Sequence, residues 1–145
     1  MSRPAATDEQ FRLEFSSEPE FISTARLFAG AAARYFGCDE DTVQDVKIAI
    51  SEACTNAVKA HESALVSQPV RIVVRPGGDT VIFEVIDSGG GFQRAKGDGN
   101  RSHDGEPLLE TGIGLHIIEA LFPDTEVAPN AEGGTTVRFS VKRGP

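Results

Sequence analysis

The stretch that decides the fold is residues 80–91, T-V-I-F-E-V-I-D-S-G-G-G, in which an apolar run ends in Asp87 and three glycines. The run of Val, Ile and Phe is typical of a buried strand. A carboxylate at a strand end can accept a hydrogen bond from an exocyclic amine, and glycine lets the backbone approach a flat ring or a phosphate closely. Taken alone, the segment is equally consistent with a flexible glycine turn.

The chain before this stretch predicts one strand and two helices. Residues 11–15 alternate apolar and polar side chains, as in a half-buried strand. Ser17 and Glu20 have the spacing of a capping box, which predicts the start of a first helix that ends at Gly37. A second helix is expected behind the acidic residues 39–41, whose charges suit a helix N-terminus.

The order of the elements predicts an α/β fold. The remaining predicted elements are a strand at 70–75 that pairs with 80–87 across Pro76-Gly77-Gly78-Asp79, a short helix stopped by Pro123, and strands at 125–128 and 135–142. The sequence strand, helix, helix, hairpin, loop, helix, hairpin favours a two-layer α/β sandwich. We expect a mixed, mostly antiparallel sheet with all helices on one face.

Composition predicts one globular domain whose ligand is not nucleic acid. The 145 residues fit a single unit, which we expect to consist of a polar tail at 1–10 and a folded domain at 11–145. Hydrophobic residues make up 39% and charged residues 25%, a globular balance. The net charge of −8 argues against binding to a phosphate backbone, which needs a basic surface. Since no apolar run reaches the ~18 residues of a membrane span and no signal core follows Met1, a cytoplasmic protein is expected.

The cysteines and histidines carry no expected redox or zinc chemistry. Cys38 and Cys54 do not form a CxxC pair, and Cys54 falls in the apolar stripe of the second helix, so we interpret it as packing. His61, His103 and His116 have no ligand spacing with one another or with the cysteines.

Three further groups of residues are candidates for a site. Glu52 and Asn56 are four residues apart and point the same way from the second helix, although such a pair is most often solvated surface. Gly112 and Gly114 are expected to open the third helix, where free N–H groups make an anion site. Thr135 places a hydroxyl at the start of the last strand, after a pair of glycines that is otherwise a plain hairpin turn.

A long polar segment separates Asp87 from the third helix. Residues 89–112 are rich in Gly, Asp, Asn, Arg and Ser and show no apolar periodicity. Because compact domains seldom contain a structureless loop of ~20 residues unless it is a lid or a binding loop, we interpret this one as functional before considering a mere insertion. Arg94, Lys96 and Arg101 within it are either solvated or within reach of a phosphate.

These motifs, in this order, resemble those of the GHKL ATPases, the Bergerat-fold superfamily that includes DNA gyrase and the histidine kinases. E-A-C-T-N-A-V, with Glu52 and Asn56, looks like the N box; D-S-G-G-G-F and T-G-I-G-L look like the two glycine boxes; G-G-T-T-V looks like the last box. The short length and the E-A-C-T-N motif are most similar to the bacterial anti-sigma factor serine kinases. Gyrase would need far more chain, and a histidine kinase would need a dimerisation helix with its own histidine.

The resemblance implies a function, partners and cofactors. It implies a protein serine/threonine kinase that binds ATP and Mg²⁺, phosphorylates a serine of an anti-sigma factor antagonist, and alternatively holds a sigma factor inactive, as a homodimer. The alternative is a non-catalytic module of the same fold that binds ATP only to shape a surface for a partner. Glu52 favours the kinase, since a pure binder has no need of a base there.

The resemblance also implies a role for individual residues. Asn56 would bind Mg²⁺ and Glu52 would act as the base, while Asp87 would hold the adenine amino group with Thr135 as a helper through water. Gly89 and Gly91 would leave room for the adenine ring, and Gly112 and Gly114 would bind the phosphates. Residues 92–111 would form an ATP lid. One departure is that many relatives have a histidine four residues after the N-box Asn, where this chain has Ala60, with His61 one position later.

Overall fold

The structure, a computed structural model, describes residues 9–89 and 106–144, with only the backbone described for 106–113. Its strands form one sheet in the order β1-β2-β3-β5-β4. The strands are β1 Phe11–Phe15, β2 Val70–Pro76, β3 Thr80–Ile86, β4 Glu126–Pro129 and β5 Thr135–Lys142. The helices are α1 Ile22–Tyr35, which follows a 3-10 turn at Pro19–Phe21, α2 Glu40–Ala64, and α3 Glu106–Leu121.

The α/β class is confirmed, and the sheet is more regular than expected. All four strand pairings that the structure describes are antiparallel, whereas the sequence predicted a mixed, mostly antiparallel sheet. The reason lies in the placement of β5. β3 and β4 run in the same direction, but β5 lies between them and is antiparallel to both. No two neighbouring strands are therefore parallel in the described sheet.

The core lies between one face of the sheet and the helices. Phe139 of β5 stacks on Phe83 of β3, with ring centroids 5.3 Å apart, and on Phe122 beyond α3, with centroids 4.6 Å apart. From α2, Ile50 and Cys54 are fully buried against this layer. Burial raises the pKa of the Cys54 thiol to about 12, so the thiolate is scarcely populated near neutral pH and the packing role is confirmed.

No helix in the described ranges is both long enough and apolar enough to cross a membrane.

Helices α1 and α2 begin differently from one another. Asp39 caps α2, because its Oδ1 accepts the N–H of Thr42 at 2.8 Å, and this hydrogen bond lowers the pKa of Asp39. The capping box predicted for the first helix is wrong. The N-cap of the 3-10 turn is Glu18, one residue later than Ser17, and no side chain caps that turn. Ser17 Oγ is buried without a hydrogen-bond partner among the described residues.

Helix α2 ends at a strained residue. Leu65 has φ 58° and ψ 43°, the left-handed conformation that glycine adopts without cost, and the residue is 92% exposed. We expect Leu65→Gly to raise the free energy of unfolding by about 0.5 to 1 kcal/mol, since the greater flexibility of the unfolded glycine chain offsets part of the relieved strain. Urea unfolding measures the change. Leu65→Ala keeps the Cβ and should gain nothing; an equal gain in both variants would assign the effect to the lost apolar surface instead.

Candidate functional site

Asp87 lies at the end of β3 and is 6% exposed. Its Oδ1 accepts the N–H of Gly89 at 2.9 Å and the N–H of Thr135 at 3.1 Å. None of the described hydrogen bonds uses Oδ2. Burial raises the pKa of Asp87 above its ordinary 3.8, although the two N–H donors act in the opposite direction. A carboxylate oxygen is thus held in place and available to a ligand that carries a donor.

The β4–β5 hairpin closes over Asp87 and brings Thr135 to it. Besides its N–H bond to the carboxylate, Thr135 accepts the N–H of Asp87 at its carbonyl oxygen, at 3.0 Å. The approach is so close that a Cβ on Gly134 would lie 2.0 Å from the Asp87 carbonyl oxygen, so only glycine fits there. Asp87 and Thr135, predicted to share a site, are therefore adjacent.

Asn130 holds this hairpin in shape, and the sequence did not reveal it as more than a turn residue. Its Nδ2 donates to the Asp87 carbonyl oxygen at 3.0 Å and to Thr136 Oγ1 at 3.2 Å. Its Oδ1 accepts the N–H groups of Glu132, at 2.9 Å, and of Gly134, at 3.1 Å. One amide side chain thus joins the hairpin to the end of β3. The only signal in the sequence was an Asn four residues before Gly134, which is typical of a turn.

Glu52 and Asn56 converge on a glycine of α3. A Cβ on Gly114 would lie 3.0 Å from Asn56 Nδ2, 3.1 Å from Asn56 Oδ1 and 3.3 Å from Glu52 Oε1. Asn56 Nδ2 is buried and has no hydrogen-bond partner among the described residues. Buried amides are normally paired, so an unpaired one beside a carboxylate indicates a place where a ligand completes the contacts. Turning the amide over would present Oδ1 instead, which is the kind of oxygen that Mg²⁺ binds.

The two halves of the site lie along one row of α2. Glu52, Asn56 and Ala60 follow at intervals of four residues, so they occupy one face, about 6 Å apart along the axis. Gly89 packs on this row, because a Cβ there would lie 2.7 Å from the carbonyl carbon of Ala60. This contact gives Gly89 a packing role, and its role beside a ring stays a prediction. The α2 row connects the Asp87 end of the site to the Glu52 end.

The expected start of α3 is wrong. The helix begins at Glu106 rather than at Gly112, so 106–111, assigned to the lid, are its first turns. Gly112 and Gly114 lie within the helix, where N–H groups bond to carbonyls one turn earlier, and the argument from a free helix start does not hold for them. Their phosphate-binding role rests on the resemblance and stays a prediction. The remainder of the lid, with Gly91, Arg94, Lys96 and Arg101, lies outside the described residues.

Comparison with known sequences identifies relatives over most of the chain. The family described as "Histidine kinase-like ATPase domain" matches residues 15–141. The serine-protein kinase RsbW of Bacillus subtilis is 31% identical over 137 residues, which cover 91% of this chain and 84% of the relative. RsbW of Bacillus cereus is 32% identical over 124 residues, which cover 82% of this chain and 77% of the relative.

Comparison with solved structures confirms the fold. A crystal structure of the RsbU and RsbW domains of a Mycobacterium tuberculosis protein superposes with a TM-score of 0.67 at 22% sequence identity. The match covers 93% of this chain and 32% of that longer chain. The resemblance inferred from the N box and the glycine boxes is confirmed. The chain belongs to the histidine kinase-like ATPase domain family and, within it, to the family of the RsbW serine-protein kinases.

Proposed function

We propose that the protein is an ATP-dependent serine kinase that phosphorylates an anti-sigma factor antagonist and, in a second complex, holds a sigma factor inactive. The observation that carries this proposal is the α2 row, which joins an available buried carboxylate at one end to Glu52 and an unpaired amide at the other. A nucleotide with its base at Asp87 would extend its phosphates along this row. Relatives at about 30% identity are named serine-protein kinases, which supports the same chemistry here.

The base end would select adenine. Asp87 Oδ2 would accept a hydrogen bond from the 6-amino group, while Oδ1 stays occupied by the N–H groups of Gly89 and Thr135. Guanine has an oxygen at the same ring position, and this oxygen would face the carboxylate without a proton between them. Thr135 would support the base through a water molecule. ATP is therefore the expected substrate and GTP is not.

The phosphate end would hold the metal and the reacting groups. Asn56 would bind Mg²⁺ through Oδ1, which fits an ion that takes few protein oxygens beside phosphates and waters. When bound, Mg²⁺ would neutralise negative charge on the phosphates. Glu52 would accept the proton of the substrate serine as the serine oxygen bonds to the γ-phosphorus. The bond from that phosphorus to the β–γ bridging oxygen breaks, and ADP leaves.

Electrostatics supports a switch between the two partners. Phosphorylation places about −1.5 to −2 charges on the antagonist's serine. This chain carries a net charge of −8, so the new charge is repelled and the phosphorylated antagonist is released. The freed kinase then takes up the sigma factor again. A homodimer is part of this proposal and rests on the resemblance.

The test combines transfer and complex formation. The protein is incubated with Mg²⁺, ATP labelled at the γ-phosphate, and a candidate antagonist that carries either its serine or alanine, and a candidate sigma factor is then added. We expect label on the serine form only, and size exclusion should show that form released and sigma bound. Nucleotide binding without transfer to any antagonist would favour the non-catalytic module. Transfer without release would show that phosphorylation is not the switch.

A further inference from the structure

His61 is a buried polar residue that the proposed chemistry does not use. It lies in the last turn of α2, is 1% exposed, and accepts the N–H of Ser88 at Nε2, at 2.8 Å, across 27 residues of chain. Because Nε2 accepts, the neutral ring carries its proton on Nδ1. Nδ1 is buried and has no hydrogen-bond partner among the described residues.

This arrangement is not what packing alone would favour. A buried donor without a partner costs free energy, whereas an apolar side chain of similar size would fill the same space without that cost. The imidazole provides a hydrogen-bond acceptor at Nε2. The hydrogen bond to Ser88 is therefore the contact that an apolar residue could not provide.

The bond matters because of where Ser88 N–H lies. The peptide group that joins Asp87 to Ser88 has its carbonyl oxygen held by Asn130 Nδ2, at 3.0 Å, and its N–H held by His61 Nε2. The two groups point to opposite sides of a planar trans peptide. The hairpin thus holds one side of the plane and α2 holds the other.

The same turn has a second contact on the hairpin side. Ser88 Oγ donates to Glu132 Oε1 at 3.1 Å, and Glu132 also pairs with Arg71 of β2. On the α2 side, the hydrogen bond from Ser88 to His61 is joined by the close packing of Gly89 on Ala60. If His61 lost its acceptor, only the packing of Gly89 on Ala60 would, among the described contacts, tie this turn to α2. The turn also supplies the Gly89 N–H that Asp87 Oδ1 accepts, so a shift of the turn moves a donor that orients the Asp87 carboxylate.

We propose that His61 is a positioning residue for the adenine site: it fixes the Asp87–Ser88 peptide plane and so keeps the Asp87 carboxylate aimed at the base. The proposal rests on the nucleotide-binding role proposed for Asp87. His61 touches neither the nucleotide nor the reacting atoms, so its effect falls on ATP affinity and not on the transfer step. It acts by raising the fraction of molecules whose carboxylate is in the binding orientation.

Three substitutions at one position test this role. His61→Gln keeps an acceptor near the place of Nε2, His61→Leu removes it at similar size, and His61→Asn is polar but too short to reach. We expect His61→Leu and His61→Asn to weaken ATP binding by about 10-fold, the loss typical of one buried hydrogen bond. In the same variants kcat at saturating ATP should stay within about twofold of the wild type. His61→Gln should recover most of the affinity.

The readouts separate this proposal from the function on which it rests. Calorimetry gives the affinity, single-turnover kinetics gives the transfer rate, and thermal unfolding reports the stability of each variant. If ATP affinity falls in proportion to stability in all three variants, and glutamine does not rescue it, the positioning role is wrong. If the wild type binds no nucleotide, the proposed function fails instead. Hydrogen exchange at the Ser88 amide still decides the structural claim, since it should be faster with leucine and asparagine than with histidine or glutamine.

Discussion

Asp87→Asn is expected to lose ATP affinity by about 100-fold while the protein stays folded, because the change removes an acceptor from a buried site that is built around it. Asparagine keeps an oxygen for the N–H groups of Gly89 and Thr135, which both bond to Oδ1. It places an NH₂ group where Oδ2 now lies, opposite the amino group of adenine. Isothermal titration with a non-hydrolysable ATP analogue gives the affinity, and the preference for ATP over GTP should narrow in the variant.

The same variant should be at least as stable as the wild type near neutral pH. Burial raises the pKa of Asp87, which means that folding disfavours its ionised form. The wild type therefore loses stability as pH rises through this raised pKa, and the neutral amide does not. The advantage of asparagine should be present at pH 7 and should disappear as pH falls towards 3.8, the ordinary pKa of the carboxyl.

Urea unfolding at several pH values measures this advantage. Asp124→Asn, the same chemical change on an exposed residue, is the control and should alter neither the affinity nor the stability. If Asp87→Asn lost its stability together with its affinity, the carboxylate would be a structural residue, and the assignment of Asp87 to the adenine amine would be wrong.

Glu52→Gln is expected to bind ATP and Mg²⁺ like the wild type and to transfer phosphate about 10² to 10⁴ times more slowly, which is the usual cost of removing a general base. The glutamine amide cannot accept the proton of the substrate serine, but it nearly preserves the packing of this side chain against Gly114. Single-turnover transfer to the antagonist, at saturating nucleotide, measures the loss. Glu62→Gln, an exposed residue of the same helix, is the matched control.

Asn56→Ala should behave differently from Glu52→Gln. Since Asn56 is proposed to bind the metal, its loss should weaken nucleotide binding in the presence of Mg²⁺ and have little effect in its absence. Titrations with and without Mg²⁺ separate the two cases. If both variants showed the same kinetic behaviour, the division of roles between base and metal ligand would have to be abandoned.

The fold could be read from the sequence wherever one face of an element is buried. The alternation at 11–15 and the acidic start of α2 at Asp39 both correspond to the structure, because burial and capping act over a few neighbouring residues. The start of α3 was missed for a comparable local reason. Glu106-Pro107 has the proline and the acidic residue typical of a first helical turn, but the lack of apolar periodicity over 89–112 favours a loop that extends to Gly112.

Without the resemblance, only the local part of the candidate site could be predicted. Asp87 and Gly89 could be proposed together because the strand end and the glycines adjoin in the sequence. His61 and Asn130 could not, because their contacts reach residues 27 and 43 positions away, and no pattern of spacing encodes which peptide group they meet. The departure at Ala60 and His61 was visible in the sequence, but its meaning depended on the position of Ser88 in space.

Because β5 lies between β3 and β4, the chain can reach its native fold only late in its synthesis. β5 follows all the other strands in the chain, yet it is an inner strand of the sheet and contributes Phe139, between two other rings, and Thr135, beside Asp87. A nascent chain that has not yet released β5 leaves the inner edges of β3 and β4 without their partner. Such a chain cannot assemble the Asp87 end of the site, so nucleotide can stabilise only molecules whose synthesis has passed this strand.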